Sequence, residues 1–238
     1  MNDVFEGFHY DDDFQLVLTI AGEEKKILIG GELRFSLSDE KYCVECGKEI
    51  LHDSLCYECA LADEKQACLK CDGSHCFQDD AEARAFCANN AYCVYLASFG
   101  SIVKAGVSLE ERVVKRWVEQ GADFGVKLAS NLNGKSARVL ETRLFAKGFR
   151  EFVKASEKIN VEAKQSFLEN ALAKLDSNEK IVSLASYHAV PNRISGETAE
   201  LCGAVRGWKG PVLYLGNNAF LLSKAVGRKV TRSVPPLI

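Results

Sequence analysis

The stretch YCVECGKEILHDSLCYEC, residues 42–59, holds two Cys-x-x-Cys pairs separated by nine residues. The pairs are Cys43 with Cys46 and Cys56 with Cys59. Each pair places two thiolates on one side of a tight turn, and two pairs supply the four sulfur ligands that zinc prefers in a tetrahedral site. Gly47 follows the first pair, where such a turn commonly needs a residue that tolerates positive φ. The spacing predicts a structural zinc site, and the alternatives are a redox pair or four unrelated buried thiols.

A second, less regular group of cysteines follows the first. It consists of Cys68, Cys71, Cys76 and Cys87. We expect a second structural zinc ion here, with His75 as a possible substitute for one thiolate. Cys93 lies inside a predicted strand and Cys202 stands alone, so we interpret both as small buried apolar residues.

Composition describes a globular chain. The protein has 238 residues, of which 47% are hydrophobic and 26% charged, which excludes wholesale disorder. Its longest apolar runs, such as residues 14–21, are too short to cross a bilayer, so we expect no membrane partner. Asp3 and Glu6 stand where a secretion signal would have a basic region, which predicts a cytoplasmic protein. A reducing compartment favours metal binding over disulfides for the ten cysteines. No motif indicates a small-molecule organic cofactor.

Charge divides unevenly along the chain. Residues 1–90 hold 20 acidic and 8 basic side chains, a net charge of −12, so the remaining residues carry +9 of the total of −3. An acidic first part and a basic second part are compatible with DNA or RNA as a partner, or with two ordinary solvated surfaces. Trp208, beside Lys209, could stack on a nucleic-acid base or pack inside a small β structure.

The order of predicted elements indicates an α+β fold with five segments. We predict an N-terminal β segment over residues 1–41, a cysteine-rich zinc-knuckle or zinc-ribbon-like region over 42–90, and a mixed α/β core over 91–155. A helical segment follows over 156–185, with its apolar face over 161–175, and a β-rich segment over 186–238. In the N-terminal segment, strands are expected over residues 14–20, 26–29 and 32–37.

The mixed core is the most regular part of the pattern. Strands are predicted over residues 93–97 and 102–107, followed by a helix from about Leu109 to Gln120 with Ser108 as its N-cap. A strand over 126–130 then leads to a helix that begins near Ser136.

The order of these motifs resembles the uncharacterised DUF2797 family. The resemblance rests on the two cysteine pairs, on Val94-Tyr-Leu-Ala97 and Val103-Lys-Ala-Gly-Val107, and on Gly203-Ala-Val-Arg-Gly-Trp-Lys-Gly210 near the end. It spans most of the chain.

The middle segment is also similar to a degenerate GIY-YIG nuclease core. In that superfamily two strands carry the two tripeptides, one helix carries an arginine, and a later helix carries a metal-binding glutamate. Val94-Tyr95 falls in the first tripeptide here, Lys104-Ala-Gly106 in the second, and Arg116 lies ten residues beyond Gly106. Glu141 lies in the later helix. Cys93 and Lys104 stand where the superfamily has a glycine and a tyrosine.

The resemblance implies a catalytic set made of Tyr95, Lys104, Arg116 and Glu141. In such a set Arg116 clamps a phosphate and Glu141 holds Mg²⁺ or Mn²⁺. Tyr95 orients or deprotonates the attacking water, helped by Lys104 if the pKa of Lys104 is lowered.

Three functions follow from these patterns. The first is a metal-dependent nuclease, the second a nucleic-acid-binding zinc protein that does not cleave, and the third a zinc-stabilised scaffold for protein interactions.

Overall fold

The computed structural model describes residues 3–62, 68, 70–159 and 162–232. The strands found there are β1 (Phe5–Tyr10), β2 (Leu16–Ile20), β3 (Glu23–Lys26), β4 (Glu32–Tyr42), β5 (Glu49–Ile50), β6 (Tyr92–Phe99), β7 (Ile102–Leu109), β8 (Phe124–Leu132), β9 (Val182–Ser183), β10 (Gly196–Thr198), β11 (Leu201–Lys209), β12 (Val212–Leu215), β13 (Asn218–Leu221) and β14 (Arg228–Arg232). The α-helices are α1 (Tyr57–Ala62), α2 (Ala81–Asn89), α3 (Val113–Gln120), α4 (Gly134–Ala146), α5 (Ser166–Lys174) and α6 (Leu222–Ala225). Short 3-10 helices cover Glu110–Arg112, Ala155–Lys158 and Ala185–Tyr187. The mixture of helices and sheets confirms the α+β class.

The chain divides into two compact units. One combines Met1–Ala62 with Tyr187–Ile238, and the other is continuous over Asp63–Ser186. The first and last predicted segments therefore lie in the same unit. The cysteine-rich region predicted over residues 42–90 is divided between the two units.

The first unit is built on a seven-stranded sheet. Its strand order is β10-β13-β12-β11-β4-β14, with β5 paired to β4. The unit also contains a three-stranded sheet of order β1-β2-β3. The sheet joins strands far apart in sequence, because β4 pairs with both β11 and β14. Along β4, Leu33 and Phe35 are buried while Arg34 between them is exposed, the alternation of a sheet with one covered face.

The second unit is built on a four-stranded antiparallel sheet of order β7-β6-β8-β9. One face carries the hydrophobic core. Its buried members are Val94, Leu96, Ala105, Val126, Ala137, Leu144, Leu168, Ala171 and Leu172. These residues come from three strands and from α4 and α5, so both helices pack on this face.

Helix α3 covers the opposite face. Tyr95 lies between Val94 and Leu96, and side chains alternate along a strand, so Tyr95 points away from the α4–α5 core. Its ring meets Trp117 of α3 edge-on, with the ring centroids 5.9 Å apart. A Cβ at Gly125 would overlap the Trp117 indole, so a glycine is needed where α3 crosses β8.

Several local predictions differ from the structure. Ser108 is not a helix N-cap, because it pairs with Cys93 within the β6–β7 ladder and α3 begins at Val113. The strand expected over residues 26–29 lies instead over Glu23–Lys26, where it pairs with β2. Val161, the first residue of the predicted helical face, lies outside the described residues, and α5 begins at Ser166.

Two side chains are also placed differently from the pattern-based interpretation. Cys202 is exposed rather than buried, whereas Cys93 is buried as expected. Trp208 is buried in the first unit, which supports packing over base stacking. No helix in the described parts of the chain is both long and apolar enough to cross a membrane.

Candidate functional site

The first cysteine group forms a compact cluster of four sulfur atoms. The Sγ atoms of Cys43, Cys46, Cys56 and Cys59 all lie within 4.8 Å of one another. The Cys46 and Cys56 sulfurs are 3.7 Å apart. A tetrahedron with metal–sulfur bonds of about 2.3 Å has edges of about 3.8 Å, so this spacing matches a four-thiolate metal site. The cluster can therefore hold one metal ion.

Local backbone geometry brings the two pairs together. The first pair lies in the turn of the β4–β5 hairpin, where the Cys43 amide donates to the Lys48 carbonyl at 2.8 Å. Gly47 has φ of 72°, a conformation that favours glycine at this turn. The second pair begins just before α1, and the Cys59 amide donates to the Cys56 sulfur at 3.5 Å.

The electrostatics of the cluster favour a thiolate at Cys43. Burial raises the pKa of this thiol, but backbone amides of Cys46, Cys56 and Glu45 donate to the sulfur and lower the pKa to about 6. The neighbouring thiols of Cys56 and Cys46 raise the pKa of Cys59 far above its usual range. A bound cation would relieve this crowding, because metal coordination holds all four sulfurs as thiolates.

The second cysteine group lines a cavity in the second unit. Cys68, Cys71, Cys76 and Cys87 all contribute to its wall, and its volume is about 500 Å³. Among the described residues, only the first group has its sulfurs gathered within reach of a single ion. Burial, followed by the charges of Cys71, Cys68 and Cys76, raises the pKa of Cys87. His75 is not part of this wall, and its ring packs on Phe77 at 4.7 Å.

Tyr95 lies at the centre of the other predicted site. It is 1% exposed and sits directly opposite Gly106 in the β6–β7 ladder. A Cβ at Gly106 would lie 2.5 Å from the Tyr95 ring and hydroxyl, so a glycine at this position leaves the room that the phenol occupies. The Tyr95 hydroxyl accepts from Gln120 Nε2 at 3.2 Å. Burial raises the pKa of Tyr95, and the Arg116 guanidinium, which also hydrogen-bonds the hydroxyl, partly opposes this.

Arg116 extends from α3 toward solvent. Its side chain is 52% exposed, and Nη1 lies 3.8 Å from Glu119 Oε2. An ion pair as exposed as this one contributes little to stability. A guanidinium in this position has donors to offer a phosphate.

Lys104 lies on the same face of the sheet as Tyr95. Its neighbour Ala105 belongs to the core on the other face, and successive side chains of a strand point to opposite faces. Lys104 is half-buried, and burial lowers its pKa to about 8, with the Arg116 charge acting in the same direction. The carboxylates of Glu141 and Glu151 oppose the shift. An amine with a pKa near 8 exchanges protons close to neutral pH.

Glu141 occupies a position that packing alone would give to an apolar residue. It follows Ala137 by four residues and precedes Leu144 by three, so all three share the face of α4 that packs on the sheet. Glu141 is 7% exposed. Its Oε2 accepts from Arg138 Nη1 at 2.8 Å. Burying a carboxylate on an apolar face is costly, which marks the position as a candidate for function.

Two residues of the predicted set act electrostatically on the other two. The charges of Arg116 and Glu141 act on both Tyr95 and Lys104. Sequence reasoning missed Gln120 and gave Arg138 no functional role. Gln120 lies four residues after Arg116, which on a helix places both on one side, so the spacing could have indicated it.

These features define a cysteine-rich α+β protein with a four-sulfur site that can hold a metal ion. The chain belongs to the family described as "Protein of unknown function (DUF2797)", whose model matches residues 30–230. No curated protein and no solved structure gives a significant match to the chain.

Proposed function

We propose that the first cysteine group binds a structural zinc ion and that the second unit hydrolyses nucleic-acid phosphodiesters with a divalent cation. Four thiolates fill a tetrahedral zinc site completely, so zinc there stabilises the fold and leaves no position for a reacting water. The chemistry is therefore assigned to the second unit, which contains Tyr95, Lys104, Arg116 and Glu141.

The observation that carries the nuclease proposal is the buried Glu141 on the sheet-facing side of α4. It acts on Lys104 and Tyr95 together with Arg116, although the four residues come from two strands and two helices. The element order β6, β7, α3, β8 and α4, that is strand, strand, helix, strand and helix, supports the resemblance to a GIY-YIG core.

Arg116, Lys104 and Tyr95 have different roles in this proposal. Arg116 is exposed enough to contact a phosphate and to stabilise negative charge as it develops on the phosphoryl oxygens. Lys104 is the better general base, because its pKa is lowered to about 8 whereas burial raises that of Tyr95. Tyr95 acts as a positioning residue that holds Arg116 and Gln120.

Glu141 would hold the divalent cation. Mg²⁺ binds through one or two carboxylates and keeps several waters, so a single carboxylate beside a substrate phosphate fits its donor preference. A bound cation supplies charge neutralisation at the leaving oxygen. Glu141 must give up Arg138 as its partner to take this role, since the two are paired at 2.8 Å.

The test is cleavage of labelled single- and double-stranded DNA and RNA with Mg²⁺ or Mn²⁺. Wild type is compared with Glu141→Gln and with Glu169→Gln, a matched change of an exposed carboxylate on α5. We expect Glu141→Gln to lower cleavage at least about 100-fold, as loss of a charge-stabilising group does, and Glu169→Gln to leave it unchanged. Cleavage that persists in Glu141→Gln would refute the assignment.

A second function is favoured by the Arg138–Glu141 ion pair. A carboxylate held this way is unavailable to a cation, which suits a unit that binds nucleic acid without cleaving it. In that case all variants bind at low salt with an affinity that falls steeply as salt rises, and none cleaves. Absence of binding even at low salt would leave the protein-interaction scaffold.

A further inference from the structure

The second cysteine group surrounds a space that apolar packing does not fill. Helix α2, which carries Cys87, contains no buried residue, and Phe86 on it is 51% exposed. A helix of nine residues without a buried residue has little of the tertiary packing that normally stabilises helices of this length. Its contact with α4 through Cys87 leaves room for a further interaction that holds α2 in place.

We propose that Cys68, Cys71, Cys76 and Cys87 bind a second zinc ion in the cavity that they line. The ligand spacing is Cys-x2-Cys, then four residues, then ten residues. Four protein thiolates complete a structural site, as they do in the first group. The inference goes beyond the proposed function and stands without it.

The loop between the ligands permits closure around an ion. Cys71 and Cys76 lie in residues 71–80, which form neither helix nor strand. Within this loop the Asp72 side chain accepts from the Ser74 amide at 2.8 Å and from the His75 amide at 3.2 Å, which makes a local turn between the two cysteines. Zinc binding would draw the four sulfurs together at the expense of part of the 500 Å³ cavity.

The charges around the cavity suit a thiolate centre. Zinc with four thiolates carries a net charge of −2, and Arg84 and Arg138 both line the wall, against one carboxylate from Glu82. Gln78, which is buried, donates from Nε2 to the Cys68 sulfur at 3.9 Å. Such donors around the sulfurs stabilise thiolate ligands.

The cavity lies against α4, so a zinc ion bound there would stabilise the position of this helix. A Cβ at Gly134 would overlap the Cys87 sulfur, and a Cβ at Gly73 would lie 2.7 Å from Val139. Thr142 Oγ1 lies 3.3 Å from the Asp72 carbonyl oxygen. The cysteine loop and α2 thus follow α4 from its first residue to its third turn.

The first test is metal content of the full-length protein purified with zinc and without nucleic acid. We expect two zinc ions per chain by elemental analysis. Cys71→Ser/Cys76→Ser and Cys43→Ser/Cys46→Ser should each lose one, and Cys202→Ser, a change at an exposed cysteine, should lose none. One zinc in the wild type, or iron with sulfide in place of the second zinc, would overturn the proposal.

A second measurement avoids reliance on variants that fail to fold. Wild-type protein is alkylated before and after a chelator, and each cysteine is quantified by mass spectrometry. We expect Cys202 to react at once, and the four cavity cysteines to react only after zinc is removed. Equal reactivity of the cavity cysteines in both states would refute the site. Because neither measurement uses cleavage, failure of the nuclease proposal leaves this result unaffected.

Discussion

Replacement of Glu141 by leucine tests whether this buried carboxylate serves the function of the protein or its stability. Leucine continues the apolar row formed by Ala137 and Leu144, and full burial of a leucine is worth about 1.5–3 kcal/mol. The substitution also removes the pair with Arg138, whose side chain is 30% exposed and can turn to water, so this loss is about 0–1 kcal/mol. We expect Glu141→Leu to raise the free energy of unfolding of the second unit by about 1–2 kcal/mol while it abolishes cleavage.

The two tryptophans allow this change to be measured in one unit. Trp117 lies in the second unit and Trp208 in the first, so a Trp208→Phe background leaves Trp117 to report unfolding of the second. With a urea m-value of about 2 kcal/mol/M, the midpoint should rise by roughly 0.5–1 M. Glu169→Leu, at an exposed position, should give no comparable gain.

The opposite result would refute the reasoning. A fall in the free energy of unfolding by more than about 1 kcal/mol would mean that Glu141 is kept for its pairing with Arg138. That outcome is the one expected when a buried ion pair is broken and its partner is left without compensation.

Three further predictions address neighbouring features. Gly106→Ala should lower the free energy of unfolding by about 1–3 kcal/mol in urea denaturation, because its Cβ would meet Tyr95; an unchanged midpoint would contradict this packing. The cleavage rate should rise with pH through about 8 as Lys104 loses its proton, and this rise should vanish in Lys104→Arg; a rise that persists there would assign it to another group. Chelation of the first zinc should lower the melting temperature of the first unit, read from Trp208, and Cys46→Ser should show the lowered value without chelator; a melting temperature insensitive to both would exclude a structural ion.

Short-range patterns predicted the parts of the fold that depend on local spacing. The two Cys-x-x-Cys pairs indicated the four-sulfur cluster, because two tight turns suffice to gather the ligands. The strands of the mixed core were also expected, since β6 and β7 are short, largely apolar segments that are joined by a turn of two residues. The helix start at Ser108 was wrong, because Ser108 is held in the β-ladder by Cys93 on the neighbouring strand.

Long-range pairing explains what local spacing could not provide. Strand β4 continues through the polar residues 38–42 because β14 and β5 pair with it there, the former nearly two hundred residues away. The burial of Glu141 follows from helix geometry, yet its effect on Lys104 depends on how α4 and β7 pack. Such contacts are set by the whole sheet rather than by any one segment.

Arg138 belongs to two environments at once, which has a thermodynamic consequence. It lines the cysteine cavity and it pairs with Glu141. A zinc centre of charge −2 in the cavity would attract the Arg138 guanidinium, which also pairs with the Glu141 carboxylate. The zinc centre and Glu141 would therefore compete for Arg138. If zinc weakens that pair and thereby increases the affinity of Glu141 for a cation by some factor, the cation must increase the affinity for zinc by the same factor. Zinc titrations with and without Mg²⁺ would therefore measure the communication between the two sites, and Arg138→Gln should abolish it.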